Sequence, residues 1–419
     1  MNTTTPFFAR LWFIPAALLL AALVGVTWAN YQFARENAGG NDFLVHWVGT
    51  RALLIEGISP YSDEVAEQIQ TRAYGRPARP GEHQLRVAYP LYGEALFLPF
   101  ALISDYTLAR ALWMTALETG LLALAFFCLR LTGWRPPLWL LAAYLIFALA
   151  WYHGLRPLIN GNVVILVALL LAGALLALRS GRDELAGVLL ALGTIKPQVL
   201  LLPILFVLLW TASQRRWRVA VWLVISVALL SVVAALFVPD WPLQNLREIM
   251  LYPTYNPPGS PGAAFAEWWP AAGEKLGWAL SALLALLLLG EWAVARRKEF
   301  RWFLWTASLT LVAAQWIGLQ TDPGNFVVLF IPLTLIFAVW EERWGRRGRL
   351  AILLMMLVLL AGLWAIFLKT VSPSDGQPLQ HPIMFFPLPA FVLFGLYWVR
   401  WWAVRPARLL VEALRDYET

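Results

Sequence analysis

Apolar residues run along this chain in blocks of about 15–25, separated by short stretches that collect arginine, lysine, proline and glycine. Blocks of that length read as membrane-crossing helices. A hydrocarbon core about 30 Å thick takes about 20 helical residues at about 1.5 Å each. The pattern predicts spans at about 11–29, 107–129, 137–152, 162–178, 217–238, 276–295, 302–318, 324–340, 350–368 and 384–403. The basic residues between them fall in clusters: Arg130 with Arg135, Arg179 with Arg182, Arg215, Arg216 and Arg218, Arg296 to Arg301, Arg343 to Arg349, and the tail from Arg400. Clusters of this kind mark the cytoplasmic side, and the N-terminus with Arg10 is placed there too. Alternation then puts 30–88, 153–161, 239–275, 319–323 and 369–383 outside.

Two apolar stretches break the alternation. "YPLYGEALFLPFALI", 89–103, holds two prolines and Glu94. It is either a re-entrant piece on the outer side or a short span. "AGVLLALGTIKPQVLLLPILFVLLW", 186–210, has basic clusters at both ends, and about 25 residues are too few for two full spans. It predicts a bent hairpin with Gly193 to Pro197 at the tip, because proline removes a donor and disfavours helix in the residue before it. Lys196 then sits at the apex, inside the membrane towards the outer side. The stretch 239–275, rich in proline, glycine and tryptophan, reads as a long loop, either a connector or a substrate wall.

Composition narrows the class. The 419 residues are 60% hydrophobic and 14% charged, against about a quarter charged in soluble domains. The net charge of +7 does not point to nucleic acid, since the basic residues sit between apolar runs and not on one polar face. The 24 tryptophans suit membrane–water interfaces. One cysteine, Cys128, excludes an internal disulfide and a cysteine-based zinc site. The first apolar run lacks a small-residue cleavage site and reads as an uncleaved span. The expected fold is an all-α polytopic membrane protein with about 11–13 transmembrane or re-entrant helices. Its parts are a module over 1–238 and an outer loop plus helical module over 239–419.

The polar residues of "NDFLVHWVGTRALLIEGISPY", 41–61, stand out just after the first span. Asp42, His46 and Thr50 share one helical face. Phe43, Trp47, Leu54 and Ile55 suit the interface, and Gly57 and Pro60 end the helix. This predicts an amphipathic helix along the outer leaflet that displays a carboxylate. A helix N-cap is an equally good reading of Asn41 and Asp42.

This stretch resembles the first outer loop of glycosyltransferase family 87, of the GT-C superfamily, with Asp42, Leu53, Leu54, Gly57, Pro60 and Tyr61 matching in order. "YPLYGEALFLPFALI" resembles the family's Tyr-Pro-rich segment. The run from "NGNVV" at 160–164 to "KPQ" at 196–198 resembles its Asn-Gly run, basic turn and Lys-Pro-Gln tip. The resemblance covers the first half of the chain well and the second by architecture. It implies inverting transfer of a sugar, typically mannose, from a polyprenyl phosphate at the outer leaflet, with Asp42 as general base. It implies neither metal nor cofactor. Two positions depart from the family pattern. His46 stands where a tyrosine is usual, and "LQTDPGNF" carries Gln320, Thr321 and Asp322 where some relatives have a histidine.

Such a transfer needs a carboxylate to take the acceptor's proton, cations to receive the leaving phosphate, and an apolar groove for the prenyl chain. Asp42, Lys196 and the Leu-rich helices are the candidates. A lysine at membrane depth usually faces a partner or a cavity, and a lipid phosphate suits it; snorkelling to the interface is the alternative. Arg156, Asn160 and His153 add candidate phosphate or sugar contacts, and Glu94 a candidate contact to sugar hydroxyls or acceptor. His46, Tyr61 and Gln198 complete the substrate-binding set from the matched motifs, with Asp322 and His381 from outward loops. Glu118, deep in a span, reads as an internal hydrogen bond, and His83 as solvated. The expected partners are a polyprenyl-phosphate-linked sugar, a lipid or glycan acceptor and membrane lipid, with no nucleic acid. The expected location is a prokaryotic plasma membrane with the site facing out. A transporter or flippase of lipid-linked saccharides, and an inactive scaffold that binds lipid phosphate, are the alternatives.

Overall fold

The computed structural model describes residues 7–256, 259–317, 322–372 and 380–405, and side chains from Ile14 on. Gln320, Thr321, the residues after Arg405 and the side chain of Arg10 lie outside the described set. All regular elements among the described residues are helices.

Helix α1 (Phe7–Glu36) is the first span and lies on the lipid-facing flank. It is clipped to α5 (Tyr106–Thr132), where Asn30 Nδ2 donates to Thr115 Oγ1 (3.1 Å) and to Glu118 Oε2 (2.9 Å). Glu118 thus makes the internal hydrogen bond expected of it. Between α1 and α5 the chain builds a polar cap. It consists of α2 (Asn41–Arg51), which runs on into a π-turn at Ala52–Glu56, α3 (Asp63–Tyr74), a 3-10 segment Leu91–Phe97 and α4 (Leu98–Ala101). The stretch 89–103 is therefore not a full span. Its helical part, Leu91–Ala101, is 11 residues long, at most about 20 Å, and cannot cross about 30 Å of hydrocarbon.

Next come α6 (Leu138–Ala150) and α7 (Tyr152–Asn160), bent by 45° at Trp151, then α8 (Val164–Arg179). The outer segment 153–161, expected as a loop, is the helix α7. The hairpin follows as α9 (Asp183–Gly193) and α10 (Pro197–Ser213), with Lys196 in the turn. Arg216 pairs with Asp183, and Arg218 with Glu184 (3.0 Å), so both feet of the hairpin stand on the same basic side.

Helix α11 (Arg218–Ala235) leads to α12 (Trp241–Tyr255) and α13 (Pro261–Trp268). The stretch 239–275 is thus largely helical. Two of its prolines start helices, since Pro242 and Pro261 occupy first-turn positions where no N–H is needed, while Pro253 sits inside α12. The second half closes with α14 (Gly273–Ala295), α15 (Phe300–Ala314), a 3-10 turn Pro323–Leu329, α16 (Phe330–Thr370), a 3-10 turn Pro382–Phe385 and α17 (Pro387–Val404). Helix α16 breaks at Gly345 (φ 50°, ψ −120°) inside the basic cluster. At 41 residues it is about 60 Å long, so it holds two spans around that break.

Six described helical segments are long and apolar enough to cross a membrane, and the bent α6–α7 pair makes a seventh. The shorter apolar helices α8, α10 and α15 have 16, 17 and 15 residues. The chain is an all-α multi-pass membrane protein.

One expectation fails at the cap. Helix α2 does not lie on the leaflet surface. Phe43, Leu44, Val45, His46, Trp47 and Val48 are all buried, and the exposed apolar residues Leu54 and Ile55 lie past its end. The cause is tertiary: the segment 91–101 covers one side of α2, and α5 and α7 cover the other. Phe43 stacks on Trp113 of α5 (5.7 Å, 16°) and meets Phe97 and Tyr106.

Candidate active site

The site begins where the start of α2 meets the end of α7. Asn160, Gly161 and Asn162 form that end, and Gly161 caps the helix in the left-handed region (φ 76°). A Cβ on Gly161 would lie 2.5 Å from Cβ of Phe43, so the close approach of α2 requires glycine twice over. Helix α5 clamps both partners. Arg110 donates to Asn37 O (2.7 Å) and Ile159 O (3.3 Å), Trp113 Nε1 donates to Gly161 O (2.8 Å), and Tyr106 Oη donates to Gly39 O and Gly40 O (3.1 Å each).

In that junction Asp42 is half-buried. Its Oδ2 accepts from Asn160 Nδ2 (2.5 Å) and from Asn162 Nδ2 (2.8 Å). No described residue donates to Oδ1. Asn162 Oδ1 in turn accepts from Lys196 Nζ (2.8 Å), and the ammonium lies 5.6 Å from the centre of the Tyr89 ring. Lys196 is 4% exposed. The lysine therefore does not snorkel; it ends a hydrogen-bonded chain that starts at Asp42, two positions 154 residues apart in sequence. Asp42 and Asp322 both act electrostatically on Lys196 and on Tyr252 of α12, which gathers the hairpin tip, the start of α2, α12 and the 322–329 turn around one charged centre.

The other expected site residues divide. Asp322 is exposed and N-caps its 3-10 turn through Gly324 N–H (2.6 Å), and Gln380 Nε2 reaches it at 3.3 Å. Arg156 lies over Phe367 (5.8 Å) beside Tyr152, whose Oη donates to Gln380 Oε1 (2.7 Å). His153, fully buried, has Nδ1 2.7 Å from Pro323 O and ties α7 to the same turn. His381 Nδ1 caps the 382–385 turn by accepting from Ile383 N–H (3.2 Å), a structural task.

Four expectations give way. Glu94 does not face a substrate: it is 2% exposed and receives His46 Nδ1 (2.7 Å) and Thr50 Oγ1 (2.9 Å). His46 is equally enclosed, stacked between Tyr89 (4.4 Å) and Phe97 (4.6 Å). The shared face of α2 is real, but past Asp42 it locks the helix to the 91–97 segment. Tyr61 is buried and donates to Tyr89 O (2.6 Å). Gln198 is exposed in the first turn of α10 and stands outside this hydrogen-bonded set.

Asn162, Tyr89, Tyr252 and His83 were not singled out as site residues from the sequence. His83 is half-buried rather than fully solvated. Its ring meets Tyr252 (6.1 Å) and Tyr255 (5.4 Å) edge to face, and Nδ1 accepts from Leu85 N–H (3.0 Å), which leaves the proton of the neutral ring on Nε2. Burial pushes the imidazole down, against a smaller opposing pull from Asp42. The turn is strained at Leu85 (φ 47°) and is held by Tyr74 Oη on His83 O (3.0 Å) and Gln70 Nε2 on Gln84 O (2.8 Å). Burial, then the charges of Asp42 and Asp322, push the Tyr252 phenol up, so it remains a neutral donor. Helix α12 is held over the cap by the buried Glu248, which takes Arg86 Nε (2.6 Å) and Nη2 (3.1 Å), and by Asn245 Nδ2 on Ala88 O (2.9 Å).

Residues 88–254 match the model of glycosyltransferase family 87. Over that region the chain is similar to family 87. The matched region carries Tyr89, Asn160, Asn162, Lys196 and Tyr252, and leaves Asp42 and Asp322 outside it. No curated protein and no solved structure matches the chain. The match and the apolar helices together support a membrane glycosyltransferase.

Proposed function

We propose that this glycosyltransferase moves one sugar, with mannose the first candidate, from a polyprenyl-phosphate donor to a lipid or glycan acceptor. The reaction runs with inversion on the extracytoplasmic face of a prokaryotic plasma membrane. The observation that carries this reading is the chain Asp42–Asn162–Lys196, which sets a carboxylate and a buried ammonium one amide apart. Both parts of the molecule, 1–238 and 239–419, contribute to the site, the second through Tyr252 and Asp322.

In the proposed step the acceptor hydroxyl gives its proton to Oδ1 of Asp42 as its oxygen bonds the anomeric carbon. The bond from that carbon to the phosphate oxygen breaks on the opposite face, and the electron pair leaves on the phosphate. One base suffices for a single displacement. Asn160 and Asn162 hold Oδ2, so the carboxylate presents its other oxygen without reorganising. Lys196 spends one N–H on Asn162 and keeps two for phosphate oxygens, as a point charge. The Leu-rich flank of the bundle takes the prenyl chain.

Asp42→Asn preserves both amide contacts to the side chain's shape and removes the base. Transfer from polyprenyl-phosphomannose in proteoliposomes should fall by at least about a hundredfold while the protein stays monodisperse. Wild-type turnover in Asp42→Asn would sink the proposal.

A further inference from the structure

The basic end of the bundle holds a feature the transfer reaction leaves unused. A cleft of about 600 Å³ opens between the ends of α10 and α14. Its floor is Phe206 and Trp292, both buried, and its sides are Leu209 and Leu289, which are 48% and 59% exposed on the flank of the bundle. Its mouth carries Arg215, Arg296 and Arg297, all exposed. No described carboxylate pairs with these three, whereas the neighbouring Arg216 and Arg218 are paired.

The backbone at the mouth is held in a costly shape. Arg215 (φ 60°) and Arg297 (φ 57°) both occupy the left-handed region, rare for residues with a side chain. The two turns are stitched to each other. Arg297 N–H donates to Ser213 Oγ (3.2 Å), and Trp210 Nε1 and Gln214 Nε2 both donate to Lys298 O (3.3 and 3.1 Å). Helix C-termini welcome cations, which explains a basic residue at each end but not a shared, unpaired trio over an apolar hollow.

We propose that this cleft binds one anionic glycerophospholipid of the cytoplasmic leaflet, its phosphodiester held by Arg215, Arg296 and Arg297 and its acyl chains laid along Leu209 and Leu289. Guanidinium groups pair well with phosphate oxygens, and the positive-inside pattern puts this end in the leaflet rich in anionic lipid. A free phosphate would satisfy the arginines and leave the apolar sides bare, so the lipid is the occupant. The inference does not depend on the identity of the donor or on Asp42.

Native mass spectrometry of the full chain, loaded with equal phosphatidylglycerol and phosphatidylcholine, tests it. Each arginine near the headgroup is worth roughly a factor of five, so phosphatidylglycerol should be retained about ten- to a hundredfold more strongly. The triple variant R215Q/R296Q/R297Q should lose that preference. Should the triple variant not fold, Arg296→Gln alone, at a residue with ordinary φ, should lower the preference about fivefold. Equal retention of the two lipids by the wild type, an unchanged preference in the folded variants, or displacement of phosphatidylglycerol by inorganic phosphate each overturns the proposal.

Discussion

At the scale of single residues, the centre depends on one amide. Asn162 donates to Asp42 and accepts from Lys196, and no other described side chain touches both. Asn162→Ala leaves the ammonium buried and unpaired and frees one side of the carboxylate. The expected outcome is a fall in kcat of about a hundredfold with the melting temperature lowered by only a few degrees, read by transfer assay and thermal melting. Loss of kcat below about threefold would remove Asn162 from the mechanism. Asp42 and Lys196 stand out in the sequence because a carboxylate and a lysine next to apolar runs are both conspicuous in such a chain. Asn162 does not, since an asparagine next to Gly161 reads as turn chemistry. His83 was misread because a histidine between Glu82 and Gln84 looks solvated; its cover comes from Tyr252 and Tyr255, about 170 residues later.

Among elements, the polar cap carries its own stability. Glu248 is wholly buried and anchors α12 through Arg86. Glu248→Gln leaves a partly buried guanidinium half-paired, and should destabilise the protein by about 3 kcal/mol, measured by thermal unfolding in detergent. An unchanged midpoint would mean that α12 is held elsewhere. The strained turn that presents His83 has a pH signature. Glu82 is held by two bonds from Arg76 (2.7 Å each) and one from Arg79 N–H (2.7 Å), and Arg76 foremost lowers its pKa from 4.5 to about 2. A carboxylate with a depressed folded pKa contributes stability above its unfolded value and loses it as pH falls through the folded one. Amide hydrogen exchange over 76–85, corrected for intrinsic rates, should therefore lose protection between pH 4.5 and about 2; flat protection contradicts the ion pair's role. The sequence pattern located the membrane helices well, since apolar length is a local property. It misjudged α2, α7 and α12, because their surroundings, not their own periodicity, decide which faces are covered, and because prolines that start helices look like prolines that break them.

On the scale of the whole molecule, the fold is a bundle with a polar cap at one end and basic turns at the other. The hairpin α9–α10 starts and returns at the basic end and carries Lys196 towards the cap, which is how a residue between two apolar arms reaches Asp42. The basic turns predict a sidedness for this arrangement. With Cys128 replaced, a single cysteine at Glu67 on α3 should react with an impermeant thiol reagent from outside intact cells, and one at Arg347 only after the cells are opened; both sites are exposed. The reverse pattern would invert the bundle and put the site in the cytoplasm.

The central claim is that Asp42 and Lys196 serve one reaction centre, and a structure with a non-cleavable polyprenyl-phosphosugar analogue tests it most directly. A phosphate oxygen should lie about 2.6–3.2 Å from Lys196 Nζ, with the anomeric carbon open to an acceptor on the side of Asp42 Oδ1. A phosphate bound away from Lys196, or a sugar whose anomeric carbon faces away from Asp42, would contradict it.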